Sequence, residues 1–255
     1  AHGGHFPCLD DKNALIDALS RSLKWSKENP DEQLVVFGHA DTSGDHPVNY
    51  DITDRRAQAA LALLAHNDKA WEDLCKKHHK IEEIQRCLKT LTTCHGWPCD
   101  PGEVDDQDGP TTQGAVKKFQ ETCNQKYKLG LMVDGAAGPK TWKAMHRVIC
   151  GLVAKALDVT DPETAAYPDW PLPEIAYSEG NGAYGCGESF PVDRAEVDGL
   201  VSEENRRVDF LFCIGWNFLE PVPDRTRALT KDECLPYDRD KMKWVPIAAG
   251  DVGQQ

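Results

Sequence analysis

Cysteine and histidine are the first side chains to weigh for chemistry in this 255-residue chain, which has ten of the former and nine of the latter. His78, His79 and His95 lie near Cys75, Cys94 and Cys99 in sequence. Such a set could ligate zinc, but its spacing matches no common finger. The ten cysteines are Cys8, Cys75, Cys87, Cys94, Cys99, Cys123, Cys150, Cys186, Cys213 and Cys234. Their even number permits five disulfides in an oxidising compartment. No CxxC pair occurs, and the other reading makes several of them small buried apolar residues. The Asp105–Gly109 run has part of a calcium loop's acidity. However, Val104 takes the first ligand position of an EF-hand frame, and the twelfth is Ala115 in place of a bidentate Glu. There is no HExxH, GxSxG, SxxK or P-loop, and Gly180-Asn-Gly182 reads as a turn. Paired carboxylates are so common here that pairing alone carries no weight for acid–base work. The expectation is a chain with no catalytic residue, no metal and no cofactor.

Composition narrows the partners. With 29 Lys and Arg against 42 Asp and Glu, the formal charge is −13, which argues against a phosphate-backbone binder. The longest apolar stretches, Leu61–Ala65 and Phe210–Ile214, fall far short of the roughly 18–20 residues a membrane helix needs. Hydrophobic residues at 40% and charged ones at 28% fit an ordinary soluble chain, and its length suits about one or two domains. No signal peptide is visible, and Ala1-His2-Gly3-Gly4-His5 reads as a processed end or a cloning scar.

The elements that must position any site follow from periodicity. Asn13–Trp25 predicts a helix with Leu15, Ile16, Leu19, Leu23 and Trp25 near one face, and Asp10 or Asp11 can cap it. Gln33–Phe37 predicts a buried strand. A polar loop runs from Asp41 to Pro47. Thr53 then caps a helix over Asp54–Ala65 with a small-residue face. Asn67–Lys80 is a polar, partly helical connector. Lys80–Leu91, Thr112–Cys123 and Thr141–Val153 have helical spacing, and Pro139 opens the last of them. The stretches Cys94–Pro110 and Leu129–Gly138 are loops, and Asp158–Pro173 is a linker. Ile175–Tyr177 and Val208–Phe212 return to strand character, and Trp244 tethers a Pro-rich tail. A helical block between similar flanks predicts an insertion into one domain.

Four motifs in order resemble the OmpA-like peptidoglycan-binding family. They are Gly38-His-Ala-Asp41-Thr-Ser-Gly44, then Asn49, then Thr53-Asp-Arg55-Arg56-Ala57; Gly185-Cys-Gly187-Glu188-Ser-Phe-Pro191; and Asn205-Arg206-Arg207-Val208-Asp209-Phe210. The resemblance covers roughly residues 6–66 and 172–214. It implies that Asp41 meets the ammonium and Arg56 the carboxylate of diaminopimelate in the wall's stem peptide. A zwitterionic head group needs one anion and one cation at fixed separation, and Arg–carboxylate contact adds geometric specificity. Arg56 lies near the start of its helix, where backbone N–H groups also favour an anion. Asn49 matches the family's loop asparagine, Thr42 joins the candidate contacts, and Arg207 matches an arginine near the site. For Arg207 a salt bridge with Asp54 or Glu188 is an equal reading; for Asp41 the alternative is a loop-turn role; Arg55 reads as solvated or ion-paired. The family usually opens with a strand before its first helix. Here only His5-Phe6-Pro7 precedes Cys8, so that strand is truncated or lies upstream.

Inside the insertion, a second set of residues is similar to the three-helix peptidoglycan-binding module found beside many wall hydrolases. Ile84-Gln85-Arg-Cys-Leu88, Thr112-Gln-Gly-Ala115-Val116-Lys-Lys-Phe119-Gln120 and Val133-Asp134-Gly135-Ala-Ala-Gly138-Pro139-Lys-Thr141-Trp142 carry it, over roughly residues 80–153. Each Asp-Gly turn needs glycine for positive φ and an Asp that caps the following helix. Where the family has Asp-Gly, the first turn carries the extra acidic residues Asp105-Asp-Gln-Asp108-Gly109. Phe119 and Trp142 sit at core positions. Trp97 and Tyr127 are exposed loop aromatics that could touch the wall, with Trp142 a further candidate.

Together these imply an α+β fold. An OmpA-like domain with a mixed sheet and two helices (1–66 and 172–214) is interrupted by a small all-α module with linkers (67–171), and a C-terminal extension covers 215–255. The implied function is non-catalytic binding of peptidoglycan in the bacterial periplasm or envelope, or after delivery there. Such a chain would anchor an envelope protein or secretion-system assembly. The alternative is an accessory part of a wall hydrolase or of a contractile-injection effector.

Overall fold

The computed structural model describes residues 14–78, 80–158, 174–177, 182–195, 197–214 and 225–230. The element order is α1 (Ala14–Glu28), β1 (Gln33–Gly38), α2 (His46–Leu64), α3 (Asp68–His78), α4 (Ile81–His95), α5 (Pro110–Tyr127), α6 (Pro139–Ala156), β2 (Ala183–Gly185) and β3 (Val208–Cys213). The fold is α+β, with a three-stranded mixed sheet in the order β2-β1-β3.

The sheet is organised by β1. Strand β2 pairs with it in parallel, Val36 opposite Ala183, and β3 in antiparallel, Val35 opposite Leu211. As the centre strand, β1 buries both faces, and its side chains divide with the two-residue period of a strand. Leu34 and Val36 join the main core with α1 and α2, whereas Val35 and Phe37 join a second cluster with Tyr50, Cys186, Leu211 and Leu229. Leu229 belongs to the short segment 225–230. Its amide donates to Ser189 Oγ at 2.8 Å, and the Arg227 carbonyl accepts from the Tyr50 hydroxyl at 3.1 Å. The expected strand at Ile175–Tyr177 is reduced to a single bridge from Tyr177 to Leu34. The added strand is β2, too short for a periodicity signal.

Helix α2 starts seven residues before the expected Thr53 cap. Pro47 occupies its first turn, a position proline favours. Thr53 lies inside the helix and its hydroxyl donates back to the Asn49 carbonyl at 2.8 Å. Asn49 is thus a first-turn helix residue, not a loop asparagine. The connector after residue 66 is a full helix, α3, because Trp71 and Cys75 give it a buried face.

The helical block is fused to α1 and α2. Helix α6 packs on α1 and α3. His146 Nε2 lies 3.1 Å from the Ala62 carbonyl, and Trp71 Nε1 donates to the Trp142 carbonyl at 3.0 Å. Asp68 pairs with Lys143 at 2.9 Å and Arg147 at 3.2 Å. One apolar cluster extends from Leu34 and Leu63 through Trp71 and Ile149 to Phe119 and Leu88. The expected capping by Asp10 or Asp11, the His5-Phe6-Pro7 segment, the linker from 159 to 173 and the Trp244 tether lie outside the described residues.

Gly38 lets α2 seat on the sheet, since a Cβ there would overlap the Thr53 backbone carbonyl. Neither the helix backbone nor the centre strand can yield cheaply. Gly38→Ala is expected to cost about 2–4 kcal/mol in urea denaturation, and an unchanged midpoint would show that α2 does not rest there.

Candidate functional site

Two regions hold the candidate residues. The first is the C-terminal end of β1, where the chain leaves the sheet. Asp41 is buried, and the bonds to its carboxylate from described residues come from two loops. Oδ1 accepts from Ser43 Oγ at 2.6 Å and Ser43 N at 3.3 Å; Oδ2 accepts from Arg206 Nε at 2.6 Å and Ser202 N at 3.2 Å. Burial pushes the Asp41 carboxyl up. The Ser43 hydroxyl, the Arg206 guanidinium and the Ser202 amide together outweigh burial and hold it below its ordinary value.

Arg56 comes to the same strand end from α2. It is 9% exposed, and its Nη1 donates to the His39 carbonyl, two residues before Asp41, at 3.1 Å. The ion pair of Asp41 itself is with Arg206. Asn49 ties the site together through Nδ2, which donates to Glu188 Oε2 at 2.7 Å and the Ser43 carbonyl at 3.2 Å. Glu188 Oε1 lies 2.8 Å from His46 Nδ1. Thr42 Oγ1 donates to the Val197 carbonyl and accepts from Leu200 N, both at 2.9 Å. Arg207 pairs with Asp209 at 3.1 Å, not with Asp54 or Glu188, and donates to the Phe190 carbonyl at 3.1 Å. The reason is local: Asp209 lies only two residues on, near the start of β3, within reach of the Arg207 side chain. Asp54 instead pairs with Arg225 and accepts from Gly185 N, and Arg55 pairs with Asp51 on its own helix. Asp41, Thr42, Asn49 and Arg56 therefore meet at one strand end, with Arg207 along the edge. The residue that sequence reasoning missed is Arg206, one place before the arginine singled out.

The second region lies between α4, α5 and α6. Two buried glutamines hold its loops in the same way, atom for atom. Gln85 Oε1 accepts from Asp105 N and Asp106 N, both at 3.0 Å, while Nε2 donates to Asp105 Oδ1 at 2.8 Å and Thr112 Oγ1 at 2.9 Å. Gln120 Oε1 accepts from Asp134 N at 3.1 Å and Gly135 N at 3.0 Å, while Nε2 donates to Asp134 Oδ1 at 2.9 Å and Thr141 Oγ1 at 3.1 Å. Each aspartate closes its own turn, accepting from Gln107 N at 3.0 Å or Ala136 N at 2.9 Å. The expected capping of the following helices by these aspartates is not what forms: the N-caps are Gly109 and Gly138. The extra acidity of the first turn has a use: Asp106 takes positive φ (60°), where the second turn has Gly135 (78°). Its carboxylate accepts from Glu82 N at 2.9 Å, at the start of α4.

The aromatic candidates of this region divide. Trp97 is 5% exposed and stacks on Phe119 at 5.6 Å, so it is a core residue, not an exposed loop aromatic. A Schellman-type turn at Gly96, with φ 67°, folds it back onto α5. Tyr127 is half-buried against Trp97 at 6.4 Å, and Trp142 is buried beside Trp71.

No group of three or more His, Cys, Asp and Glu able to hold a metal is assembled among the described residues. The eight described cysteines are free thiols, while Cys8 and Cys234 lie outside those residues. Burial pushes the thiols of Cys75 and Cys123 up, and that of Cys99 to about 11, so these act as apolar groups.

Residues 77–145 match the peptidoglycan binding domain family, a span that takes in α4, α5, both clamped turns and the start of α6. No curated protein and no solved structure matches the chain.

Asp41 gives a pH signature. Its carboxyl is held below the ordinary value of 3.8, so its stabilisation is complete above that pH. It is lost as pH falls through the lower, folded-state value. The stability advantage of wild type over Asp41→Asn in thermal unfolding is expected to be constant from neutrality to about pH 5 and to shrink below about pH 4. A difference independent of pH would show that the charge of Asp41 contributes nothing. In the second region, Gln120→Ala strips several buried partners at once and is expected to cost about 2–4 kcal/mol in denaturant.

Proposed function

We propose that this protein is a non-catalytic peptidoglycan binder that holds a larger protein or assembly on the bacterial wall. The family match over residues 77–145 is the observation that carries this reading. That match points to the cell wall or envelope. No described helix is long and apolar enough to cross a membrane.

The finer part of the reading assigns a second wall contact to the end of β1. Asp41 would take the ammonium and Arg56 the carboxylate of a diaminopimelate head group, with Asn49 and Thr42 shaping the loop and Arg207 bordering it. The support is chemical. A carboxylate on the loop that leaves β1 and a guanidinium on α2 reach one strand end from different elements. This is the spacing problem that a zwitterion poses. Both groups are largely buried, which strengthens each charge–charge contact relative to open surface. Two modest sites on one fused body would raise avidity through effective concentration if both reach the polymer. An envelope anchor and a secretion-system component are the assemblies this would serve.

Pull-down on insoluble peptidoglycan tests the reading, with diaminopimelate-type and lysine-type walls side by side. Lysine lacks the second carboxylate, so the strand-end site is expected to favour the diaminopimelate wall. Asp41→Ala and Arg56→Met, each checked for folding by circular dichroism, are expected to abolish that preference and leave residual binding from 77–145. Equal retention of wild type and both variants on both walls would overturn the strand-end assignment. Release of soluble muropeptides would overturn the non-catalytic reading.

A further inference from the structure

We infer that Arg206 is an internal latch on the strand-end site, occupying Asp41 in the free protein and leaving it when the ligand's ammonium arrives. This rests on the reading that Asp41 takes that ammonium, and it adds a regulatory step to it.

Asp41 has no acceptor capacity to spare. A carboxylate offers about four lone-pair positions, and Ser43 N, Ser43 Oγ, Ser202 N and Arg206 Nε fill them. An incoming ammonium must therefore displace one donor. Two are backbone amides fixed by their loops. The Ser43 hydroxyl is neutral and sits two residues from Asp41, so its loss would forfeit a local bond without making room for a charge. Arg206 is the only cation among the four donors. Its side chain is 25% exposed at the protein surface, against 6% for Asp41. A long side chain at such an edge can release its head into water.

The exchange also conserves charge. A buried carboxylate that loses its only cation pays a desolvation cost. Replacing the guanidinium by a ligand ammonium keeps one cation on Asp41 throughout. The ligand must then work against the Arg206 contact, so apparent affinity falls by the fraction of molecules in which the latch is open. Ser202 and Arg206 belong to the same loop, and Thr42 holds that loop through Val197 and Leu200. The loop therefore stays anchored when the arginine leaves, and the latch is the side chain alone.

The test is calorimetric titration of the full chain with the soluble tripeptide L-Ala–D-Glu–meso-diaminopimelate. Arg206→Gln keeps a polar side chain and removes the cation. It is expected to bind the tripeptide roughly three- to tenfold tighter than wild type, and Arg206→Gln combined with Asp41→Asn is expected to lose that gain. Wild-type binding with equal or weaker binding by folded Arg206→Gln would overturn the latch while leaving the ligand assignment intact. If neither binds, the ligand assignment itself falls and the latch with it. Should Arg206→Gln not fold, the Nε–Hε resonance of Arg206 in wild type answers directly. It is expected to move to the position of a solvated guanidinium at saturation, and an unmoved resonance with ligand bound would overturn the proposal.

Discussion

A buried side-chain amide has two donors and a two-sided acceptor, and it must satisfy all of them where no water can help. That constraint governs the helical part of this molecule. Gln85 and Gln120 are buried on α4 and α5, and each can be satisfied only if the following loop curls back to present two amides, a carboxylate and a threonine hydroxyl. The loop geometry is thus dictated from the helix. It in turn sets where α5 and α6 begin, since Thr112 and Thr141 stand two residues after the prolines that open those helices. Different loop sequences then give the same turn, and the first can spend Asp106 on a helix start where the second needs a bare glycine. At Gly135 a Cβ would press on the Gln113 carbonyl, whereas Asp106 already holds a side chain.

The same demand for satisfaction joins the block to the sheet. The Ala62 carbonyl near the end of α2 meets His146, and Asp68 at the start of α3 meets Lys143 and Arg147. Burial drives the His146 imidazole down to about 4, so it meets that carbonyl as a neutral ring. Neutral polar contacts inside and ion pairs outside keep the joint from being a flexible linker. The helical block and the sheet therefore share one continuous core. Two wall contacts on such a body would be held at a set separation, which bears on avidity more than either affinity does.

Much of this was legible in the chain. The buried run Gln33–Phe37 and the helical spacing of Ile84, Leu88 and Leu91 reported their elements because one face of each meets the core. Motif order singled out Asp41 and Arg56, and both come to the end of β1, but the ion pair of Asp41 is with Arg206. What was hidden depended on tertiary contact. The α3 helix reads as polar connector because few of its residues face inward, and Trp71 does so against α6. The early start of α2 was masked by Asp45-His-Pro, which reads as loop until the sheet supports it. Trp97 sits among turn residues, so burial by a reversed chain at Gly96 leaves no periodic trace. Arg206 and Arg207 are adjacent with identical chemistry; only the backbone path just before β3 decides which faces Asp209 and which Asp41.

That last distinction reshapes how the strand end should be understood. A chain with net charge −13 has little trouble finding carboxylates, so what makes Asp41 notable is the density of donors around it. Four hydrogen bonds from two loops hold one oxygen pair in place, and with it the path of the chain as it leaves β1. The carboxylate is therefore structural whatever else it does. Arg56 is fixed independently, by the His39 carbonyl on the strand itself. A site whose anion is positioned by loops and whose cation is positioned by a strand carbonyl keeps its spacing even if one donor to Asp41 changes. Under the latch proposal, the seryl and amide donors would preserve that geometry while the ligand's ammonium takes the place of the Arg206 guanidinium.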